Sequence, residues 1–494
     1  MKGLSTIELL IAIAVLSLGM AAAVIVVFGT QSAQVRAQEN REALSIASKT
    51  LEEARASADQ NFAGVASLAT TTDGSYRTWR SVADLNVSAK QVTGWVSWNA
   101  GGVARQTALS TLLTNWRGAM AGAAYRCQVP PAGDWSAPQA RGSYPFSSLI
   151  PSGASGWGLS DIEIKDTLLY VAAYSTPAAD KNTFFIFDIS NAGAAPRLLG
   201  ALATAPTYTK GIAAIAMAAS GQKMYAYAAS ASSFSKGQLQ IIDATHPAAP
   251  VLVATYKIAA SIVPRAGYGR AIFYRYPYVY LGLTSIAGGG AEFDVINVSN
   301  PLNPFWVAGY SIGHDVNAIY VKGNYAYVAH PSASTDALQE ELTVLDVTDP
   351  AATPALARVG GFHFVTGMGG HGETIDIEGP TLYFGRTTSN ISGPADTIPE
   401  FYILDNSSAP SISSAPLGSA ALGTGDSINA LYARNSRAFL LDNYEFRVLD
   451  IYDPAHLLTL STIPLTSAGL AFDCSSALIY ITQAGAITTI APGH

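Results

Sequence analysis

The feature that most constrains this chain is a motif that returns at a near-constant interval. It reads FFIFDISNAGAAP, LQIIDATHPAAP, FDVINVSNPLNP, LTVLDVTDPAATP, FYILDNSSAP and FRVLDIYDPAHL, anchored at Asp188, Asp243, Asn297, Asp346, Asp405 and Asp450. The anchors are separated by 55, 54, 49, 59 and 45 residues. Ahead of each motif stands a second apolar run with Tyr or Phe: LLYVAAY, KMYAYAA, YVYLGLT, YAYVAHP, TLYFGRT and AFLLDN. A seventh copy, ALIYITQAGAITTI, closes the sequence. A period near fifty residues with four short strands per unit predicts a seven-bladed all-β propeller over residues 144–494. A β-sandwich is disfavoured, because sandwiches do not repeat a motif at a fixed interval.

The repeat motif resembles the LVIVP repeat of bacterial surface propellers. The seventh copy lacks an outer strand, which would leave an open edge. Residues 144–153 are expected to supply that strand. The turns between first and second strands are short, while the second-to-third loops and the inter-blade connections are long and share the opposite face. Long loops on a rigid scaffold are where binding usually resides. Arg265, Tyr268, Arg270, His314, Asp315, His371 and Glu373 lie in that loop set and form the predicted binding face. The histidines and carboxylates show no spacing diagnostic of a metal, so neither metal nor cofactor is expected. No catalytic motif is present, and the chain is read as a non-enzyme. The repeat Asp is expected to hydrogen-bond its own turn.

The composition shifts near residue 130. All 25 prolines lie at Pro130 or later. The opening MKGLSTIELLIAIAVLSLGMAAAVIVVFGTQ carries an uncharged apolar run from Leu9 to Phe28, preceded by Glu8. Twenty residues at ~1.5 Å each would cover a bilayer core, which predicts a single-pass anchor. Gly3, Leu4 and Glu8 carry the spacing of a prepilin leader, and this segment resembles type IV prepilins and the pseudopilins of type II secretion. The resemblance implies cleavage between Gly3 and Leu4 by a prepilin peptidase, methylation of the Leu4 amine, and a role for Glu8 in filament assembly. It also implies other pilin subunits and an inner-membrane assembly platform as partners.

The expected organisation is a leader at 1–3, a pilin transmembrane and filament helix at 4–58, a small β head at 59–126, a Pro-rich linker at 127–143, and the propeller. The fold class is therefore a multidomain one: a long pilin helix with an α+β head, then an all-β propeller. The expected function is a minor or tip pilin displaying the propeller toward a surface, glycan or protein. A major subunit with the propeller as decoration is the alternative. The expected location is the inner or cytoplasmic membrane before assembly and an extracellular filament afterwards. With 13% charged residues and a net charge of −7, nothing points to nucleic acid. Cys127 and Cys474 are the only cysteines, and a disulfide between them is expected outside the cytoplasm.

Overall fold

The computed structural model describes residues 6–61, 65–86, 89–114, 127, 131–146, 158–174, 182–204, 210–231, 237–259, 267–287, 289–333, 336, 338–352, 356–364, 370–387, 399–423 and 427–493. It divides into two compact units, Met1–Ala119 and Met120–His494.

In the first unit a helix, Thr6–Asn61, precedes a four-stranded antiparallel meander. Its strands are Leu68–Asp73, Tyr76–Asn86, Ala89–Ala100 and Val103–Thr114. Ala43, Ala47, Leu51 and Ala54 recur at helical spacing and are buried against Tyr76, Val92, Val96, Trp98 and Leu113 of the sheet. The helix sits close enough that a Cβ on Gly94 would meet the Ala47 carbonyl at 3.0 Å. Trp95 points to the other face of the sheet, where its ring stacks on Trp79 at 5.9 Å. Gly101 and Gly102, with φ of +58° and +82°, make the turn between the last two strands.

The fold class read from the sequence is corrected here. The protein is nearly all β, built from many small sheets, and a pilin rod does not define its class. Between Ala43 and Ala54 the helix turns its apolar stripe to the sheet, while Arg41, Glu42, Lys49, Glu52, Glu53 and Arg55 are exposed. Among the described residues no helix is long and apolar enough to cross a membrane. That overturns the single-pass anchor over Leu9–Phe28 and the localisation built on it. Gly3 and Leu4 lie outside the described residues.

Among the described residues the second unit holds seven antiparallel sheets. The first blade runs Gly158–Lys165, Leu168–Tyr174, Phe184–Asp188 and Arg197–Leu202 from the centre outward. The innermost strands of the next six are Ile212–Ser220, Gly269–Arg275, Ala318–Lys322, Gly370–Glu378, Ala430–Arg434 and Gly469–Cys474. Each packs beside the next, and the seventh returns to the first, so the ring is closed. The third strands of blades one to five bury their first four residues and leave the terminal Asp or Asn partly exposed. Strands covered on both faces read as continuous apolar runs, which explains the repeat motif. In blades one to six two-residue turns join first to second strands, with Asp166, Gly221, Gly323, Gly379 and Asn435 at φ between +52° and +62°.

Blade seven takes its fourth strand from the front of the unit. Asp134–Pro145 pairs antiparallel with Ala486–Gly493. The closing strand thus lies earlier than the expected 144–153; residues 147–153 are outside the described set. Pro138 obscured it, since Pro removes a ladder donor. The strand tolerates it at the sheet edge, within a stretch where the register shifts between Ala491 and Gly493. Trp135 anchors the strand: it is 1% exposed, packs edge-on against Phe439 at 5.3 Å and donates its indole N–H to the Pro131 carbonyl. Cys127 and Cys474 form a disulfide, with Cα atoms 4.5 Å apart. It ties the chain ahead of the closing strand to the innermost strand of the same blade.

Candidate functional site: the mouth of the central tunnel

The seven innermost strands surround a tunnel of about 220 Å³. Buried carboxylates brace the ring from blade to blade. Asp161 and Glu163 of blade one accept the Ile215 and Met217 N–H groups of blade two at 2.9 and 2.7 Å. Asp376 of blade five accepts the Ala433 N–H of blade six at 2.9 Å. Asp473 of blade seven accepts the Ile164 N–H of blade one at 2.6 Å. Burial pushes Glu163 up to about 7, even with the Lys165 ammonium 2.8 Å away. These acids are spent on the frame.

The loop-face end of the tunnel is built differently. In blades one, two, three, five and seven the first strand pairs irregularly with the second near its start. The register skips Ser160, Ala213, Arg270, Glu373 and Leu470. A bulge leaves one residue unpaired and re-aims its side chain. All five line the tunnel, and Asn317 and Asn429 occupy the corresponding places in blades four and six. Each blade therefore contributes one residue to the mouth, and Arg270 and Glu373 are the charged pair among them.

Around these two the predicted residues converge. Arg270 donates through Nε to Asn317 Oδ1 at 2.7 Å and lies 3.6 Å from Asp315. Asn317 donates to the Gly372 carbonyl at 2.7 Å. Asp315 accepts the Ser285 N–H at 2.7 Å. Burial pushes the Glu373 carboxyl up to about 7, opposed by Arg270 and reinforced by Asp315 and Glu341. Among the described residues that carboxyl has no hydrogen-bond partner. Burial lowers His371, and the neighbouring Arg270 lowers it further.

Arg270, Asp315, His371 and Glu373 thus come together. His371 and Glu373 do so from the innermost strand of blade five, not from an inter-blade connection as the sequence reading had it; the bulge beneath Glu373 is what lets a strand residue behave as a loop residue. Tyr268 does not join them. Its ring lies under Lys210, 5.6 Å from the ammonium. His314 turns toward a separate cavity described below. Arg265 lies outside the described residues. Sequence reasoning missed Asn317, Ser160 and Asn429. Their signal is positional: Ser160, Asn317 and Asn429 each stand six residues ahead of the positive-φ turn residue that follows the inner strand, Asp166, Gly323 and Asn435 (166 − 160, 323 − 317 and 435 − 429). Among the described residues metal-donor atoms gather at Cys127, Asp473 and Cys474, where both sulfurs are spent in the disulfide.

With this geometry in hand, comparison places the chain among repeat proteins. Residues 216–258 and 313–358 match the LVIVD repeat. The chain carries LVIVD repeats. No curated protein is similar to it in sequence. Among solved structures it is similar to BamB from Moraxella catarrhalis, at 11% identity over 72% of this chain and 98% of that chain, with a TM-score of 0.40. It is also similar to the N-terminal domain of Nup159, at 11% identity over 74% of this chain and 97% of that chain, with a TM-score of 0.39.

Proposed function

We propose that this LVIVD-repeat propeller is a recognition module that takes a small polar ligand, or a polar side chain of a larger partner, at the tunnel mouth. The observation that carries the reading is Glu373. It is a part-buried carboxyl without a hydrogen-bond partner among the described residues, in a ring where every neighbouring acid is committed. An uncommitted polar group in a concave site supports a binding role. Charge reversal at Arg270 is expected to weaken binding to immobilised peptides at least tenfold. Lys223→Gln, on the opposite face, is expected to leave it unchanged. Equal behaviour of the two variants in a plate-binding assay would reject the site.

The filament-subunit reading is proposed with it, on sequence and one structural support. Gly3, Leu4 and Glu8 carry the prepilin spacing. Val15, Leu16, Leu18 and Met20 of the helix are each more than half exposed, and exposed apolar patches mark surfaces that associate. The propeller would then be the part presented outward by a minor or tip subunit. Mass spectrometry of the mature protein should find an N-methylated Leu4 as its first residue; an intact Met1 would remove the reading and leave the propeller site untouched.

A further inference from the structure

A second concavity lies on the loop face between blades three and four, with a volume of about 340 Å³. Ligand pockets commonly occupy ~300–1,000 Å³. One wall follows the outer strand of blade three, Phe305–Tyr310, into a bend at 311–313. Buried Glu292 shapes that bend by accepting the Ile312 and Gly313 N–H groups at 2.9 and 3.0 Å. Gly313 has a φ of +83°, which glycine adopts without steric cost. The bend presents His314, whose ring lies parallel to that of buried His330, with centroids 6.1 Å apart. His330 is fully engaged, through Nδ1 with the Pro331 carbonyl at 2.7 Å and through Nε2 with Thr343 Oγ1 at 2.9 Å.

The charges of this cavity cancel in pairs. Asp336 accepts from His314 Nε2 at 2.7 Å. Burial would raise Asp336, but the Ala333 N–H and His314 outweigh it and hold the carboxyl below its ordinary value. Glu340 takes Arg358 in a two-point pair, with Nε at 2.9 Å. A pair of this kind leaves neither partner its full charge to offer an ion. An anion would have to strip Arg358 from Glu340, and a cation would have to strip Asp336 from His314. The open polar groups are instead neutral in kind. The Tyr310 hydroxyl and His314 Nδ1 have no hydrogen-bond partner among the described residues, and both lie on flat rings lining the cavity. A hydroxyl-rich ligand with an apolar face satisfies such a surface: its hydroxyls meet Tyr310 and His314, and its C–H face lies on the rings.

We infer that this cavity is a binding site for a neutral saccharide. The site is separate from the tunnel mouth and does not depend on the reading given for it.

The test uses the full-length protein and the methyl glycosides of glucose, galactose and mannose, with methyl sialoside as the charged counterpart. Saturation-transfer NMR and calorimetry should show at least one neutral glycoside bound and the sialoside bound at least tenfold more weakly. His314→Ala and Tyr310→Phe should each reduce the neutral glycoside's affinity five- to tenfold. Tyr310→Phe keeps the ring and removes only the hydroxyl, so a folding defect is not in play. Arg270→Glu should leave the glycoside affinity unchanged. Absence of binding by all three neutral glycosides, stronger binding of the sialoside, or binding that survives both cavity substitutions would each overturn the inference. Loss through Arg270→Glu alone would move the saccharide to the tunnel mouth and also overturn it.

Discussion

The two faces of the propeller treat their polar groups in opposite ways. On the tight-turn face nearly every one is engaged within the frame. Asp188, Asp243, Asn297, Asp346, Asp405 and Asp450 each accept the N–H two residues on, at 2.8 to 3.0 Å. Asp188 also holds Arg197 at 2.7 Å and Asp243 holds Lys223 at 2.9 Å. Asp376 pairs with Arg434 at 2.6 Å. On the loop face Glu373, the Tyr310 hydroxyl and His314 Nδ1 have no hydrogen-bond partner among the described residues. Polar groups that satisfy one another rigidify a fold, while polar groups left open in a concavity wait for a ligand. The contrast shows that one repeat can serve both ends: the same strand begins at a bulge and ends at a tight turn.

Two buried carboxyls offer the sharpest way to break this contrast. Asp473 belongs to the frame. It accepts N–H groups from Cys127, Ile164 at 2.6 Å and Cys474 at 2.8 Å. Removing it strands three buried donors at ~1–3 kcal/mol each, so Asp473→Ala is expected to lower stability by about 3–5 kcal/mol. Asp473→Asn, which keeps one acceptor oxygen, should lose less. Urea unfolding measures both; a loss under about 1 kcal/mol for the alanine variant would show that the brace is dispensable.

Glu373 belongs to the other face and should respond with the opposite sign. Its ordinary value is 4.5, and the folded protein holds it at about 7. The folded state therefore binds this proton more tightly than the unfolded chain does. The stability that this provides is complete below about 4.5 and is lost as pH rises to about 7. Glu373→Gln removes the dependence. It should exceed the parent in stability above pH 7, on the order of 1 kcal/mol after solvent screening, and converge with it near pH 4. Unfolding midpoints across that range check the sign. A variant less stable than its parent at pH 8 would place Glu373 in the frame with Asp473 and erase the distinction between the faces.

The sequence made the frame more legible than the sites, for physical reasons. Strands buried on both sides must be apolar, so Phe184–Asp188 and its equivalents announce themselves by composition. An Asp at a strand end, followed by Ser or Thr, has a local use that needs no distant partner. Asp134–Pro145 has neither signal. Its alternation is broken by Pro138, and its partner strand lies 340 residues or more away. The tunnel mouth was half legible. Arg270 and Glu373 stood out as charges among apolar neighbours, but the bulges that aim them are set by pairing between strands, which no single-strand pattern encodes. The cavity between blades three and four was mostly hidden. Tyr310, Asp336, Glu340 and Arg358 come from both walls, and each looked like an ordinary surface residue in its own segment. The helix's opening apolar run speaks for a pilin, whereas sheets dominate the chain.

The bulge at the start of five of the innermost strands has a consequence for how such a protein can diversify. Because the skipped residue in those five blades is free of ladder pairing, its identity is nearly independent of the strand that carries it. The mouth is thus a small set of interchangeable positions mounted on an indifferent ring. Ser160, Ala213 and Leu470 differ from Arg270 and Glu373 in size, charge and polarity, yet the five pairs of strands beneath them are alike. A lineage built on this plan can change what it recognises one blade at a time, without renegotiating the architecture that holds the blades together.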